Sequence, residues 1–407
     1  MAYEFYHILE ISSQASADEI KQAYFRLVRK YSPEKEPERF QQIRLAYNTL
    51  SNPKVRENYD IMQKHGDQIK DLIEQAEKKM QLEEWSNAIS LLKQVLVLAP
   101  TIDVARNLLG LCYIHTENWD FAVKIYRALT KTNPDVALYW SNMGCAYKRQ
   151  AEFFNDGEFS KIQLYYNARE CYQQAVNLES FNSAPYLDIA ETYLDEKNYL
   201  EALTWAEHAI GADGKADYND FEAFFFICRV HFCSGESQKI EVIAKRIISL
   251  LPEKTDIRKY AASRFANMGI EIAKNATKSA NFDKWRAAFQ FLKAARDLEQ
   301  TNVGFKELCT KIEKIVAAIN QYEEISNDYL IIQGFQRLAA FCLTDYFDFY
   351  DSLQERKSCL NDILTEILAS PTSTIIASLE KIKFSYPEIY GLNVELFERI
   401  EQVVCVP

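Results

Sequence analysis

Two prolines constrain this chain more than any other feature. Pro100 and Pro134 stand 34 residues apart, and each closes the same pattern of a helical stretch, a turn and a second helical stretch. Between Asp103 and Pro134, Leu109, Gly110 and Tyr113 share a face of the first helix, and Ala122, Tyr126 and Ala128 share a face of the second. Small residues fall where two helix backbones approach, and large ones where the neighbouring pair is touched. Such a unit buries too little surface alone, so it demands stacked copies of itself.

The copies are legible on both sides. The unit before begins at Ile69 and has Ala76 and Ala88 at its close-approach positions with Trp85 at the turn. The unit after carries Trp140, Met143, Gly144 and Tyr147, then Ala168, Tyr172 and Ala175 about 12 residues later than the period requires. The excess lies in Gln150 to Leu164, with Phe153, Phe154, Asn155-Asp156-Gly157 and Phe159. Either both helices are extended there or a loop projects. A fourth unit (Tyr186, Ile189, Ala190, Tyr193, then Tyr199, Ala202, Ala206, Ala209) restores the pattern, and Gly211 to Asp220 reads as a longer link. A fifth unit is weaker (Phe224, Ile227, Cys228, then Ile240, Ala244, Ile247, Pro252), and a sixth pair, Asp256 to Lys274 and Phe282 to Leu298, keeps only its amphipathicity and its alanines. From 323 onward no period is readable, which leaves a cap, a partner-specific domain or a dimerisation element. These spacings resemble the tetratricopeptide (TPR) repeat, and that resemblance implies an α-solenoid with a peptide-receiving inner surface.

The N-terminal stretch has a different grammar. Tyr3, Tyr6, Leu9 and Ile11 form a short apolar face. Ser16 and Glu19 have the spacing of a capping box, ahead of Ile20, Ala23, Tyr24 and Leu27. Pro33 ends that helix near Tyr31. A third helix runs from Pro37 to Leu50, and a short fourth one, with Pro53 in its first turn, ends around Tyr59, leaving Ile61 to Gln68 as a link.

The residues Tyr6, Leu9, Glu19-Ile20-Lys21-Gln22-Ala23-Tyr24, Arg29-Lys30-Tyr31, Ala46-Tyr47, Leu50-Ser51, Pro53, Arg56 and Tyr59-Asp60 resemble a J domain, the co-chaperone module that docks on the 70-kilodalton heat-shock ATPase. The resemblance implies docking through the basic residues Lys21, Arg26, Arg29 and Lys30 of the second helix; the bland reading of those residues is a solvated charged face. One departure matters. Where the family carries His-Pro-Asp, the trigger of ATP hydrolysis, this chain has Ser32-Pro33-Glu34. Serine removes an imidazole, and glutamate moves the carboxylate outward by one methylene, so the expectation is a J-like fold with weak docking and impaired stimulation.

Composition bounds the rest. With 11 Gly and 10 Pro in 407 residues and 48% apolar content, long disordered tracts are excluded and an all-α chain too long for one core is expected. The expected fold is a small J-like helical domain followed by a TPR-like α-solenoid and a C-terminal helical cap. Its parts are 1–66 (J-like), 67–253 (repeats), 254–322 (divergent helical repeats) and 323–407 (C-terminal helical region). A net charge of −11 argues against nucleic acid or an anionic membrane as partner. Residues 1–66 hold ten Lys/Arg and nine Asp/Glu, so the acidity belongs to the remainder. Nine scattered cysteines, no basic leader and no long apolar run point to reduced thiols and a cytoplasmic protein.

Chemistry is not written in the chain. The five histidines have no metal spacing, and Cys228, His231 and Cys233 on one apolar helix read as packing; no CxxC or phosphate loop occurs. No cofactor, metal or catalytic residue is expected, and the chain reads as a non-enzymatic binder of protein or peptide segments. The groove candidates are the polar positions of successive first helices: Arg106, Asn107 and His115, then Asn142 and Lys148, then Asp188 and Glu191. Their mixed charge does not favour a clamp for a terminal carboxylate, and basic or neutral segments fit better. Two other readings stand beside this one: a general scaffold with an inert J-like cap, and an enzyme with an interhelical pocket.

Overall fold

The computed structural model describes residues 4–153, 158–252, 256–279, 281–347 and 352–405. Among them every regular element is helical. The chain divides into two compact units, Met1–Glu196 and Lys197–Pro407.

The first unit opens with α1 (Glu4–Ile8), α2 (Ala17–Lys30), α3 (Pro37–Ser51) and α4 (Pro53–Gln81). Ser16 caps α2 as its spacing implies. Its hydroxyl accepts from the Glu19 amide, and the Glu19 carboxylate accepts from the Ser16 amide at 2.7 Å. Tyr6, Leu9, Ile20, Ala23, Leu27, Ile43, Ala46 and Leu50 close a small core. Tyr6 also ties α1 to α4, for its hydroxyl donates to Asp60 at 2.8 Å and accepts from Arg56 Nε at 2.8 Å.

The fourth helix does not end at Tyr59. It continues without a break through the expected link to Gln81. No proline interrupts Ile61 to Gln68, and Asn52 and Pro53 start the helix cleanly. Tyr59 packs on the J-like core, whereas Ile69, Leu72, Ile73 and Ala76 of the same helix pack in the next one. Residue 66 is therefore inside a helix.

Helix pairs follow: α5 (Trp85–Leu98), α6 (Asp103–His115), α7 (Trp119–Thr132), α8 (Ala137–Phe153), α9 (Glu158–Leu178) and α10 (Ala184–Asp195). The turns before α5 and α7 pass through Glu83 and Glu117, both at left-handed φ (58° and 61°) and one repeat period apart. The late third unit resolves into two lengthened helices, α8 and α9. The expected turn at Asn155-Asp156-Gly157, with Phe154, lies outside the described residues. Phe153 at the end of α8 stacks on Trp119 (5.4 Å between centroids), which supports the lengthening.

What sets the distance within a pair is a ring lying on a glycine. A Cβ on Gly110 would stand 2.6 Å from the Tyr126 ring, and one on Gly144 would stand 2.8 Å from Tyr172. Both tyrosines are almost completely buried. Ala128, assigned to a packing position from spacing, is exposed, and its neighbour Leu129 is buried instead.

The second unit holds α11 (Tyr199–Ala209), α12 (Phe221–Cys233), α13 (Ile240–Leu250), α14 (Asp256–Ser279), α15 (Phe282–Leu298), α16 (Val303–Ser326), α17 (Gln333–Tyr346), α18 (Leu353–Leu368), α19 (Thr372–Ser385), α20 (Pro387–Leu392) and α21 (Val394–Cys405). One continuous core runs from Phe221 to Ile400. Close approach recurs where the repeat's residue types have gone: Leu292 occupies the space beside Gly269, and Ile367 the space beside Gly334.

Two substitutions test this packing by thermal melting. Gly110→Ala forces the Tyr126 ring away and should cost about 1–3 kcal/mol. Gly66→Ala, whose added carbon meets only the Met62 methyl at 3.9 Å, should stabilise α4 by about 1 kcal/mol.

Candidate functional site

The J-like tip is built by a helix stop. Tyr31 turns extended (φ −114°, ψ 90°) and ends α2, one residue before Ser32, which Pro33 keeps out of the helical region. The Ser32 carbonyl then accepts from the amides of Lys35 (3.1 Å) and Glu36 (3.0 Å), and Pro37 starts α3. Ser32 is half-buried, and Pro33 and Glu34 are exposed. The Tyr31 ring is flanked by Lys30 (5.0 Å) and Arg39 (4.4 Å).

Lys21, Arg26, Arg29 and Lys30 are all exposed on α2. Arg26 pairs with Glu10 at 3.4 Å, a solvated contact worth under about 1 kcal/mol. Sequence reasoning missed Phe25. It lies 47% exposed, four residues from both Lys21 and Arg29, so the three share a face. The signal was available, because Phe25 is out of phase with Ile20, Ala23 and Leu27.

On the first helices of the next pairs, α6, α8 and α10, the seven groove candidates separate into a contacting four, Asp188 beside them, and a remaining two. Four of them meet in two cross-helix contacts. The Asn142 amide donates to Asn107 Oδ1 at 2.9 Å, while the Tyr126 hydroxyl donates to the Asn107 carbonyl. Lys148, 8% exposed, reaches Glu191 at 2.7 Å and Glu152 at 3.3 Å. Burial works against the Lys148 charge, but Glu191 and Glu152 outweigh it and hold its pKa above the ordinary lysine value. Burial pushes Asp188 up to about 6; Lys148 opposes the shift and Glu191 adds to it. The other two candidates turn elsewhere. Arg106 pairs with Asp103 on its own helix (3.6 Å), and His115 lies flat on Trp85 with centroids 4.1 Å apart.

Among the described residues no group of three or more His, Cys, Asp and Glu is placed to hold a metal ion. Cys228 is fully buried and its thiol is pushed far up by burial, whereas Cys233 is exposed. Burial pushes the His231 pKa down. None of the described helices is long and apolar enough to cross a membrane.

The fold and these surfaces define an all-α protein in which a J-like unit is continued by TPR-like helix pairs. Residues 4–60 match the family model described as "DnaJ domain". Over 65 residues the chain is 52% identical to the chaperone protein DnaJ of Thermosynechococcus vestitus, covering 15% of this chain and 17% of that protein. Over 63 residues it is 48% identical to the DnaJ of Anaplasma marginale, covering 14% and 17%. The chain thus spans about one sixth (17%) of the length of these curated relatives. Similar solved structures include a thermophilic TPR protein of Thermus thermophilus (13% identity, TM-score 0.39, 48% of this chain and 97% of that one). The MamA protein is another (16% identity, TM-score 0.35, 45% and 92%). Residues 4–60 thus form a DnaJ-type J domain, and the helix pairs that follow it are TPR-like by their own spacing and seating.

The Asp188 environment makes a pH-dependent prediction. Its folded pKa is raised, so its contribution to stability is complete below its ordinary carboxylate range and is lost as pH rises through about 6. Asp188→Asn should therefore raise the melting temperature more at pH 8 than at pH 4.5. An equal shift at both pH values would contradict the assignment.

Proposed function

We propose that this chain is a non-catalytic, chaperone-associated binding protein with two docking modules. The inner helices α6, α8 and α10 receive a protein or peptide segment along Asn107, Asn142, Lys148, Asp188 and Glu191. The J domain meets a 70-kilodalton heat-shock chaperone through Lys21, Arg26, Arg29 and Lys30, with Phe25 as an apolar contact among the charges. Arg106 and His115 serve the array's packing in this reading.

The observation that carries it is an intact J-domain frame with an altered tip. The docking helix is formed and its basic residues are exposed. At the tip Ser32 offers a hydroxyl where the family has an imidazole, and the Glu34 carboxylate sits one methylene further out. Charge-assisted contacts depend on such geometry, so docking is retained and triggering is weakened. Protein binding by the array follows from helices whose polar side chains are arranged across repeats, with no reactive constellation among them.

ATP turnover by the host's 70-kilodalton chaperone separates the parts. The natural chain should leave turnover near its basal value, and Ser32→His with Glu34→Asp should raise it. Stimulation by the natural chain would overturn the claim of impaired triggering. No response to either would favour an inert J-like cap on a scaffold.

A further inference from the structure

The turn between α16 and α17 presents two apolar side chains to water while its backbone is braced from below. Tyr329 is 89% exposed and Leu330 58%. Beneath them the Asp328 carboxylate accepts from Lys381 (2.7 Å), the Tyr386 hydroxyl (2.9 Å) and the Leu330 amide (3.0 Å). The Asp328 carbonyl accepts from Gln336, and the Ile332 amide donates to Ser378. Ordering a turn costs entropy, and here that cost is met in the free protein. A preorganised aromatic at a protruding tip is the anatomy of an interface anchor.

The same unit carries a receptor for it. Between α17, α18 and α21 lies a cavity of about 320 Å³. Leu353, Leu360 and Leu396 give it an apolar lining; among the described residues Lys357, Arg399 and Arg356, which pairs with Asp345, stand around it with the carboxylate of Glu395. Leu353 is 71% exposed. The anchor's flank has the opposite sign, with Glu324 exposed in the last turn of α16 beside Glu323, which pairs with Arg286. We infer that the Tyr329-Leu330 turn of one copy docks in the Leu353–Leu396 cavity of a second copy of this chain. Apolar side chains fill the cavity, and Glu324 faces the Lys357 and Arg399 rim. Anchor and receptor are different patches of one surface, so each copy offers both halves of the contact. One anchor pair buries little area, so the association is reversible and weak.

Sedimentation velocity of the full chain, from micromolar to near-millimolar concentration, reads this directly. The expected result is a sedimentation coefficient that rises with concentration. Tyr329→Ser with Leu330→Ser, and separately Arg399→Glu, should each weaken the association at least tenfold without changing the helical circular dichroism. Photo-crosslinking from benzoylphenylalanine at position 329, in a mixture of light and heavy-isotope chains, should join light to heavy through 353–360 or 394–399. A concentration-independent coefficient, association that survives both sets of substitutions, or crosslinks confined to one chain or to other segments would overturn the proposal.

Discussion

The α6–α7 and α8–α9 pairs depend on one steric fact, the seating of a large side chain on a glycine of the facing helix. Tyr126 on Gly110 and Tyr172 on Gly144 leave no room for even one added carbon. Each buried ring removes roughly 150–250 Å² from water, worth about 4–6 kcal/mol at ~25 cal/mol/Å². That gain is available only if the backbones come close. The pairing distance is thus set locally, and the polar residues on α6 and α8 inherit their register from it. Asn107 meets Asn142 with the α6–α7 and α8–α9 pairs behind them seated alike, and Lys148 meets Glu191 on α10, where the buried Ala190 stands in the glycine's place.

The J domain enters the same scheme through α4. This helix contributes Arg56, Tyr59 and Asp60 to the first core's surroundings and Ile69 to Ala76 to the second. It serves as the last helix of one module and the first helix of the next. Thr101, at the start of the following turn, also bonds to Asn58 on α4. A helix shared by two cores transmits orientation where a flexible linker would not. The altered tip at Ser32-Pro33-Glu34 is thereby held on the array as a fixed fitting.

Much of this was legible in the residues. The Ser16–Glu19 box, the stop at Pro33 and the Gly110–Tyr126 spacing each have a local physical cause, and each appears in the structure where that cause places it. The continuity of α4 was not legible, because Gly66 is compatible both with a link and with a helix interior; two flanking cores decide the matter. Nor did Glu83 and Glu117 announce left-handed turns, since glutamate carries no preference for them. At the candidate site, phase placed the polar residues on α6, α8 and α10 but did not reveal their partners. His115 lies on the flat face of Trp85 and Arg106 pairs with its own Asp103, while Lys148 is held by carboxylates from two helices. The Tyr329-Leu330 tip fell in an apolar stretch whose exposure only packing reveals.

The most direct test of the seating claim is a double-mutant cycle on Gly110→Ala and Tyr126→Leu, read by chemical denaturation. If the glycine exists to admit the ring, the alanine should cost much less stability once leucine replaces tyrosine, because the atoms nearest an added Cβ are the ring's Cζ, Cε2 and hydroxyl, which leucine lacks. The expected coupling energy is about 1–3 kcal/mol. Costs that simply add would show that Gly110 and Tyr126 act independently and would contradict the claim.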